Sequence, residues 1–324
     1  MYNSEEILER VNRTIANLKY PTQPQGLYEP IKYVLSIGGK RIRPAFMLLA
    51  AQAFDTDIDK IMPAAIGLET YHNYTLLHDD LMDRAKMRRG FPTVHCKWNN
   101  NTAILSGDSM LVLACKYIYS TPLPNIKEAM DVFLNTALEI GEGQQYDMNF
   151  ETRNNVTQEE YIEMIRLKTS VLIACALKMG AVLSGADKET ANSLYSFGEQ
   201  VGLAFQLQDD LLDVYGDPKV FGKRIGGDII CNKKTFLLIN AYNKSDVRQK
   251  EKLEQFLNLK DFDEAEKIKS VTNIYNELNV KDYTIETIHK YFNNAKNIIH
   301  SLNLPQNSKQ PLWDFASQLV NRNY

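Results

Sequence analysis

The sequence is poor in the residues that interrupt regular structure and in net charge. Only 16 of its 324 residues are glycine and 11 are proline, and no Pro/Gly/Ser-rich linker divides the chain. We therefore predict a single domain over residues 1–324. The formal net charge of -3 argues against binding to nucleic acid, so an anionic ligand would need a local cluster of basic side chains.

Cysteines and long apolar runs are also scarce. The four cysteines (Cys96, Cys115, Cys175 and Cys231) include no CxxC pair, which predicts free thiols in a reducing compartment. The segment MYNSEEILERV carries acidic residues where a signal peptide carries basic ones. No uncharged apolar run approaches the roughly 20 residues of a membrane-spanning helix. We expect a soluble, cytoplasmic protein without a transmembrane segment.

What the sequence does contain is a helical repeat of apolar residues. They recur mainly every three or four positions, as in PAFMLLAAQAF and YIEMIRLKTSVLIACALKMGAVL, and alternating strand-like segments are hard to find. Breaks such as YPTQP, STPLP and LSGAD separate the helical pieces. The pattern predicts an all-α bundle of about a dozen helices around a central cavity.

Two acidic segments resemble each other although they lie far apart in the chain: LHDDLMD at 77–83 and LQDDLLD at 207–213. Their aspartates are Asp79, Asp80 and Asp83 in the first segment, and Asp209, Asp210 and Asp213 in the second. On a helix, the first and third aspartates of each segment share a face, and the second flanks them. The leucines take the opposite side, so each segment is expected to pack by its leucines and turn its carboxylates toward a common interior.

Two facing carboxylate clusters predict a cation site. Like charges repel, and buried carboxylates are costly to desolvate, so the arrangement makes sense mainly if cations lie between the clusters. Oxygen ligands without adjacent cysteine favour a hard ion, and magnesium usually completes its octahedron with water and phosphate oxygens. One DDxxD segment alone is more often a solvated helix face, but that explanation fits two copies in the same apolar frame poorly.

Basic residues concentrate in loops and supply what a diphosphate ligand requires, because the planar fork of arginine matches its oxygens. They are Lys40, Arg41 and Arg43 in GGKRIRP, Arg88 and Arg89 in RRG, and Lys223, Arg224, Lys233 and Lys234 in GKRIGGDIICNKKT. Neither glycine-containing loop has the spacing of a P-loop. The segment RLKTS adds Lys168 and Thr169 within an apolar stretch, where a lone lysine is more often a surface residue.

In their order along the chain, these motifs resemble those of the trans-isoprenyl diphosphate synthases, the family that includes farnesyl and geranylgeranyl diphosphate synthases. The matching segments are GGKRIRP, ETYHNYTLLHDDLMD, RRGFPTVH, AILSGD, GQQYDM, KTS, FQLQDDLLD and GKRIGGD with KKT. The resemblance implies that about two to three Mg²⁺ ions per active site grip an allylic diphosphate. It also implies a separate basic site for isopentenyl diphosphate, and a homodimer.

The resemblance also implies roles for individual residues. Metal would be bound by Asp79, Asp80, Asp83 and Asp209, with Asp210 and Asp213 supporting the second motif. The allylic diphosphate would be contacted by Arg88, Lys168, Gln206, Lys223 and Lys233. Isopentenyl diphosphate would be held by Lys40, Arg43, His72 and Arg89. Thr169 and Gln206 would assist while the departing diphosphate removes the final proton. The chain departs from many relatives at Arg224, where they have proline, and in HCKWNNNTA.

The helix before the first motif bears on product length. On the helical wheel Thr75 lies nearly beneath Asp79, Tyr74 lies to one side, and Tyr71 lies about 12 Å below Asp79. By resemblance, an aromatic residue five positions before the motif is typical of short-chain synthases. We therefore predict the twenty-carbon geranylgeranyl diphosphate as product, with the fifteen-carbon farnesyl diphosphate as the alternative.

Three other functions share some of these features. A terpene cyclase has an all-α frame and one DDxxD segment, but it lacks the second diphosphate site predicted from GGKRIRP and RRG. An HD-type phosphohydrolase is suggested by His72 and by the His-Asp pair at 78–79, but the second aspartate motif contains no histidine. A regulatory subunit of a heteromeric synthase would carry degraded aspartate motifs, and both motifs are intact.

Overall fold

The computed structural model describes residues 2–217, 225–259 and 261–320 and is helical almost throughout. The helices are α1 (Ser4–Ala16), α2 (Gln25–Ser36), α3 (Ile42–Gln52), α4 (Ile58–Met82), α5 (Val94–Lys97), α6 (Asn100–Tyr119), α7 (Ile126–Glu151), α8 (Gln158–Ile165), α9 (Val171–Leu183), α10 (Lys188–Tyr215), α11 (Gly227–Ile230), α12 (Phe236–Lys244), α13 (Val247–Asn258), α14 (Glu264–Glu277), α15 (Val280–Ser301) and α16 (Gln306–Val320). Over these ranges the only sheet is a short hairpin of β1 (Met87–Arg88) and β2 (Phe91–Pro92). The all-α prediction is confirmed.

Several helices begin at capping residues that the sequence displays. At α1 the side chain of Asn3 accepts from the backbone N–H of Glu6, and the Glu6 side chain accepts from the backbone N–H of Asn3. Thr157 and Glu160 form the same reciprocal pair at the start of α8. Such a pair satisfies two backbone donors that have no partner within the helix, so it fixes where the helix starts.

The chain forms two compact units. Unit 1 comprises Met1–Leu134, Cys175–Leu194 and Leu302–Leu312, and unit 2 comprises Asn135–Ala174, Tyr195–Ser301 and Trp313–Tyr324. The first aspartate motif and the loops GGKRIRP and RRG belong to unit 1. The second aspartate motif, KTS and the segment NKKT belong to unit 2. The single domain expected over residues 1–324 stays a prediction.

In unit 1, helix α4 packs against α3 and α6 and carries the first aspartate motif at its end. A glycine allows this close packing, because a Cβ atom at Gly67 would lie 2.6 Å from Cγ1 of Ile118 and 2.8 Å from the carbonyl oxygen of Ala114. Leu77 of the motif is buried, whereas Leu81 is only partly buried. The motif is therefore presented by a helix whose preceding turns are held on several sides.

In unit 2, helix α10 carries the second aspartate motif and packs by its leucines. Leu207 and Leu211 are fully buried, and they belong to a core that also contains Phe236 and Ile274. The helical wheel correctly predicted that the leucines of this motif face the core. None of the described helices is both long enough and apolar enough to cross a membrane.

Candidate active site

The first aspartate motif forms a cluster with an arginine of the β-hairpin. The buried carboxylate of Asp80 accepts a hydrogen bond from Nε of Arg88 at 2.8 Å, and Nη2 of Arg88 lies 3.4 Å from Oδ2 of Asp79. Burial raises the pKa of Asp80, while the hydrogen bond and charge of Arg88 oppose that rise. Asp83 is exposed at the end of α4. The motif thus offers oxygen ligands in an electrostatic setting that favours a nearby cation.

The hairpin turn directs two neighbouring arginines to different places. Its central residues Arg89 and Gly90 both have positive φ, 53° and 80°, as a tight two-residue turn requires. Arg89 consequently reaches the GGKRIRP loop and donates to the carbonyl oxygen of Gly38. Gly39 has φ of 148°, a backbone conformation that residues with a side chain rarely adopt. The structure therefore joins two basic loops that the sequence analysis grouped by charge alone.

Arg41 has a structural task that sequence reasoning missed. Its guanidinium donates to Oε1 of Glu69 at 2.6 Å, to the carbonyl oxygen of Leu35 at 2.8 Å and to Oδ1 of Asn12 at 3.1 Å. Asn73 also donates to Oε1 of Glu69, at 3.1 Å. The side chains of Arg41 and Glu69 are only 3% and 2% exposed. This buried pair fixes the GGKRIRP loop, and the signal for it was an isolated glutamate in the apolar stretch IMPAAIGLETY.

Lys40 and Arg43 lie on either side of the anchored Arg41 in the sequence. Arg41 itself adopts a left-handed backbone conformation with φ of 49°. Lys40 is exposed. Nη1 of Arg43 lies 3.1 Å from Nε2 of His72, and Nε2 must be the acceptor because arginine has no acceptor. Burial and the charges of Arg43 and Arg89 lower the pKa of His72 well below its usual value. His72 is therefore neutral, and three residues predicted for one anion site lie on adjoining segments of unit 1.

The second aspartate motif buries its middle residue in a polar cage. Asp210 accepts from the hydroxyl of Tyr161 and, at 3.0 Å, from Nε2 of Gln206. Burial is the main cause that raises the pKa of Asp210 to about 8, and Asp228 raises it further. In both motifs, then, the middle aspartate is buried and paired, whereas Asp79 and Asp209 are more accessible. The metal roles predicted for Asp80 and Asp210 stay predictions.

Lys168 and Thr169 lie in a π-helical turn, Arg166–Ser170, between α8 and α9. Such turns are rare and occur frequently at functional sites. Nζ of Lys168 lies 2.6 Å from Oδ2 of Asp147, and the hydroxyl of Thr169 donates to Oε1 of Gln206 at 3.1 Å. Thr169, Gln206 and Asp210 thus form one hydrogen-bonded chain, which connects the KTS segment to the second aspartate motif.

Two glycines let neighbouring helices approach the π-helical turn. A Cβ atom at Gly143 of α7 would lie 2.5 Å from the backbone nitrogen of Lys168. A Cβ atom at Gly202 of α10 would lie 2.6 Å from Cα of Ser170. Both positions therefore exclude side chains, and the turn is held by close backbone packing.

The loop that follows the second motif is tied to it by backbone hydrogen bonds. Oδ2 of Asp213 accepts from the backbone N–H of Asp228 at 2.9 Å, at the start of the short helix α11. Lys233 follows that helix and is exposed. Lys223 and Arg224, by contrast, lie outside the described residues. Asp213 thus supports the loop of Lys233, a role that the sequence did not indicate.

The residues predicted to limit product length form an aromatic group in unit 1. Tyr71 is buried and meets Phe133 edge to face, with ring centroids 5.1 Å apart, and its ring lies 5.5 Å from that of Tyr74. The ring of Tyr74 in turn lies 4.8 Å from that of His78. The hydroxyl of Thr75 donates to the carbonyl oxygen of His72 at 2.8 Å. Phe133 belongs to α7, far from Tyr71 along the chain, so the sequence alone did not predict that it joins this group.

The carboxylates of the two motifs are the donor type that a hard cation prefers, but they do not form a complete ligand set. Within the described ranges, no group of three or more His, Cys, Asp or Glu side chains is arranged to hold a metal ion. Each motif offers carboxylate oxygens only, which is the donor type that Mg²⁺ prefers when water and phosphate supply the remaining ligands. The residues present therefore fit magnesium bound together with a phosphate-containing ligand.

Comparisons with known proteins agree with this arrangement of motifs. Residues 24–275 match the sequence profile of the family described as "Polyprenyl synthetase". The chain is 44% identical over 236 residues to the geranylgeranyl diphosphate synthase of Methanosarcina mazei, a match that covers 72% of this chain and 73% of that relative. It is 38% identical over 252 residues to the geranylfarnesyl diphosphate synthase of Natronomonas pharaonis, covering 72% and 74%. A crystal structure of a geranylgeranyl pyrophosphate synthase matches with a TM-score of 0.93 and 39% identity, covering 100% of both chains.

Proposed function

Because this chain belongs to the polyprenyl synthetase family of prenyltransferases, we propose that it condenses an allylic prenyl diphosphate with isopentenyl diphosphate, head to tail, and releases diphosphate. The observation that carries the proposal is the pairing of the first aspartate motif with Arg88 of the neighbouring hairpin, at 2.8 Å from Asp80 and 3.4 Å from Asp79. The names of two similar proteins, the relative from Methanosarcina mazei and the solved geranylgeranyl pyrophosphate synthase, support geranylgeranyl diphosphate as the product.

In this proposal the allylic diphosphate binds through magnesium, for which Asp79 and Asp83 are the accessible ligands of the first motif and Asp209 is the accessible ligand of the second. When bound, Mg²⁺ supplies the positive charge that stabilises the leaving diphosphate. Arg88 lies within hydrogen-bond distance of Asp80, so it is already directed toward the first motif. Within unit 2, Lys168 and Lys233 are the proposed phosphate donors, and Asp147 orients the ammonium group of Lys168. The phosphate charge is thereby offset by fixed cations rather than by water.

Isopentenyl diphosphate binds, we propose, to Lys40, Arg43, His72 and Arg89. The anchored Arg41 holds the backbone of this loop, so Lys40 and Arg43 need little rearrangement to reach the diphosphate. His72 accepts a hydrogen bond from Arg43 and stays neutral, so it orients this arginine without competing for its charge. This division of roles predicts that Arg43→Ala raises the KM for isopentenyl diphosphate more than the KM for the allylic substrate.

The reaction breaks the allylic carbon–oxygen bond and forms a carbon–carbon bond to the double bond of isopentenyl diphosphate. The departing diphosphate then accepts the proton that the new product loses, so no protein base is required. Thr169 and Gln206 hold each other at 3.1 Å and provide polar contacts near this event. Exclusion of water is essential, because water would trap the allylic cation as an alcohol.

Product length is set, in our proposal, by Tyr74 with Thr75 beside it and by Tyr71 one turn deeper. The edge-to-face contact of Tyr71 with Phe133 makes these rings a rigid floor for the growing product, because neither ring can turn without disturbing the other. We infer the twenty-carbon product, with farnesyl diphosphate as the alternative. If the rings of Tyr71 and Tyr74 move aside, we expect a twenty-five-carbon product, because the chain is also similar to a geranylfarnesyl diphosphate synthase.

We also propose that the chain forms a homodimer through α6. Leu105, Val112 and Tyr119 recur every seven residues, so they lie on one stripe of that helix. They are 59%, 67% and 74% exposed, and an apolar stripe of this kind is typical of an association surface. Light scattering should give the mass of a dimer for the parent protein and of a monomer for Val112→Glu.

The lack of a disulfide in the described residues suits a reducing cytoplasm.

The proposal is tested by consumption of isopentenyl diphosphate in the presence of an allylic diphosphate and Mg²⁺. Asp79→Ala and Asp209→Ala should each lower kcat by several orders of magnitude, since the ligands of one metal site act together. Asp59→Ala is a matched control, because Asp59 is an exposed aspartate at the opposite end of α4. Parent rates in both motif variants would contradict the proposed metal roles.

A further inference from the structure

Unit 2 contains a buried lysine to which the proposed chemistry gives no role. Lys267 of α14 is 1% exposed, and burial lowers the pKa of its ammonium group. Its Nζ donates to Oδ1 of Asn232 at 2.6 Å and approaches the carbonyl oxygen of Ile230 at 3.4 Å. It also lies over the ring of Phe262, 4.1 Å from the centroid. These partners are uncharged, so the cost of burying the ammonium is offset by hydrogen bonds rather than by a carboxylate.

The partner Asn232 occupies a special backbone position. It has φ of 56° and directly follows the last turn of α11. The backbone N–H of Lys233 donates to the carbonyl oxygen of Asp228 at 2.9 Å, and that of Asn232 donates to Ile229 at 3.3 Å. This pair of bonds around a left-handed residue is a Schellman cap, and asparagine is among the few non-glycine residues that adopt this conformation readily.

The side chain of Asn232 is held from two sides. Its oxygen accepts from Lys267, and its Nδ2 donates to the carbonyl oxygen of Leu257 at 2.9 Å. The residue after this clamped position is Lys233, whose side chain is exposed. The side chain of lysine is long and flexible, so its reach depends on where its backbone lies. Contacts that fix Asn232 therefore also fix the backbone position of Lys233.

We propose that Lys267 is a positioning residue, which directs Lys233 toward the allylic diphosphate by locking the Schellman cap at Asn232. The inference rests on the proposed function, in which Lys233 contacts that diphosphate. A cation suits this task, because a hydrogen bond from an ammonium group is shorter and stronger than one between neutral groups. Without the hydrogen bond from Lys267, the cap at Asn232 would sample other conformations. Binding of the diphosphate would then have to order the cap, which weakens the binding.

The test compares Michaelis constants for the two substrates in Lys267→Met, which keeps the length of the side chain and removes the donor. We expect the KM for the allylic diphosphate to rise roughly tenfold, as the loss of one charge-assisted hydrogen bond allows, and the KM for isopentenyl diphosphate to change little. Lys267→Arg keeps a charged donor, so its KM for the allylic diphosphate should lie close to that of the parent protein. Lys269→Met is the matched control, because Lys269 is exposed on the same helix.

Asn232→Gly provides an independent variant should Lys267→Met fold poorly, as judged by circular dichroism. Glycine keeps the left-handed conformation without strain but removes the acceptor for Lys267, so we expect the same selective rise in KM. Thermal unfolding of each variant separates a loss of the folded state from a loss of positioning. An unchanged allylic KM in a folded Asn232→Gly or Lys267→Met protein would overturn the inference.

A double-mutant cycle with Lys233→Ala distinguishes the inference from the function on which it rests. If Lys267 acts through Lys233, then Lys233→Ala combined with Lys267→Met should have the allylic KM of Lys233→Ala alone. Additive effects would show that Lys267 acts by another route and would overturn the inference. An unchanged allylic KM in Lys233→Ala itself would instead contradict the role of Lys233 in the proposed function.

Discussion

Breaking the buried ion pair of Arg41 and Glu69 should destabilise the protein strongly and weaken binding of isopentenyl diphosphate. Glu69→Met keeps a side chain of similar length but leaves the guanidinium of Arg41 buried without a counter-charge. Removal of one partner of such a pair typically costs about 3–5 kcal/mol in the free energy of unfolding. The upper part of that range is expected here, because both side chains are almost fully buried and Asn73 would also lose an acceptor.

Replacing both partners separates the charge effect from packing. In Arg41→Met combined with Glu69→Met no charge remains buried, so most of the lost stability should return. About 1–3 kcal/mol should stay lost, because the carbonyl oxygen of Leu35 no longer has a donor. The matched control is Glu9→Met, which breaks an exposed pair with Arg13 on one helix and should cost no more than about 0.5 kcal/mol.

Urea unfolding followed by circular dichroism measures these differences, and initial rates measure the KM for isopentenyl diphosphate. We expect Glu69→Met to raise that KM, because Lys40 and Arg43 flank the residue that it releases. The reasoning is refuted if Glu69→Met costs no more than Glu9→Met, or if the double variant is less stable than Glu69→Met alone.

Three further predictions concern pH, product length and backbone packing. Because the pKa of His72 is lowered in the folded state, the unfolded state binds more protons below about pH 6.5. The free energy of unfolding should therefore fall as the pH drops below that value, by up to about 1.4 kcal/mol per pH unit, until His72 is protonated in the folded state. Urea titrations of His72→Gln should lack this component. Chromatography should find longer products from Tyr74→Ala, whereas unchanged products there together with longer ones from Tyr71→Ala would place the floor one turn deeper. Gly202→Ala should lose about 1–3 kcal/mol in urea unfolding and much of its kcat, while Gly141→Ala, which has open space for a methyl group, should lose neither.

Local patterns in the sequence predicted the parts of the site that depend on one helix. The buried leucines of both aspartate motifs follow from residues four apart sharing a face, and burial of Leu77, Leu207 and Leu211 agrees with it. The wheel did not predict which aspartate would be buried. Asp80 is paired by Arg88 and Asp210 by Tyr161, and such partners from other segments cannot be read from a helical period.

Long-range and irregular features escaped the sequence analysis for physical reasons. The pairing of Arg41 with Glu69 joins residues 28 positions apart, and Arg41 lies among other basic residues of its loop. The π-helical turn at Lys168 changes the angle between successive side chains, so a regular wheel misdirects them. The clamp on Asn232 likewise depends on a lysine 35 positions later. Each of these features supports a predicted site residue through a contact or a backbone conformation that the motif itself does not reveal.

The most direct measurement is product analysis after incubation of the parent protein with farnesyl diphosphate, isopentenyl diphosphate and Mg²⁺. The account predicts one twenty-carbon diphosphate, formed with release of one diphosphate per new carbon–carbon bond and lost when excess chelator removes the metal. Allylic diphosphate consumed without isopentenyl diphosphate, or release of inorganic phosphate as the sole reaction, would contradict it.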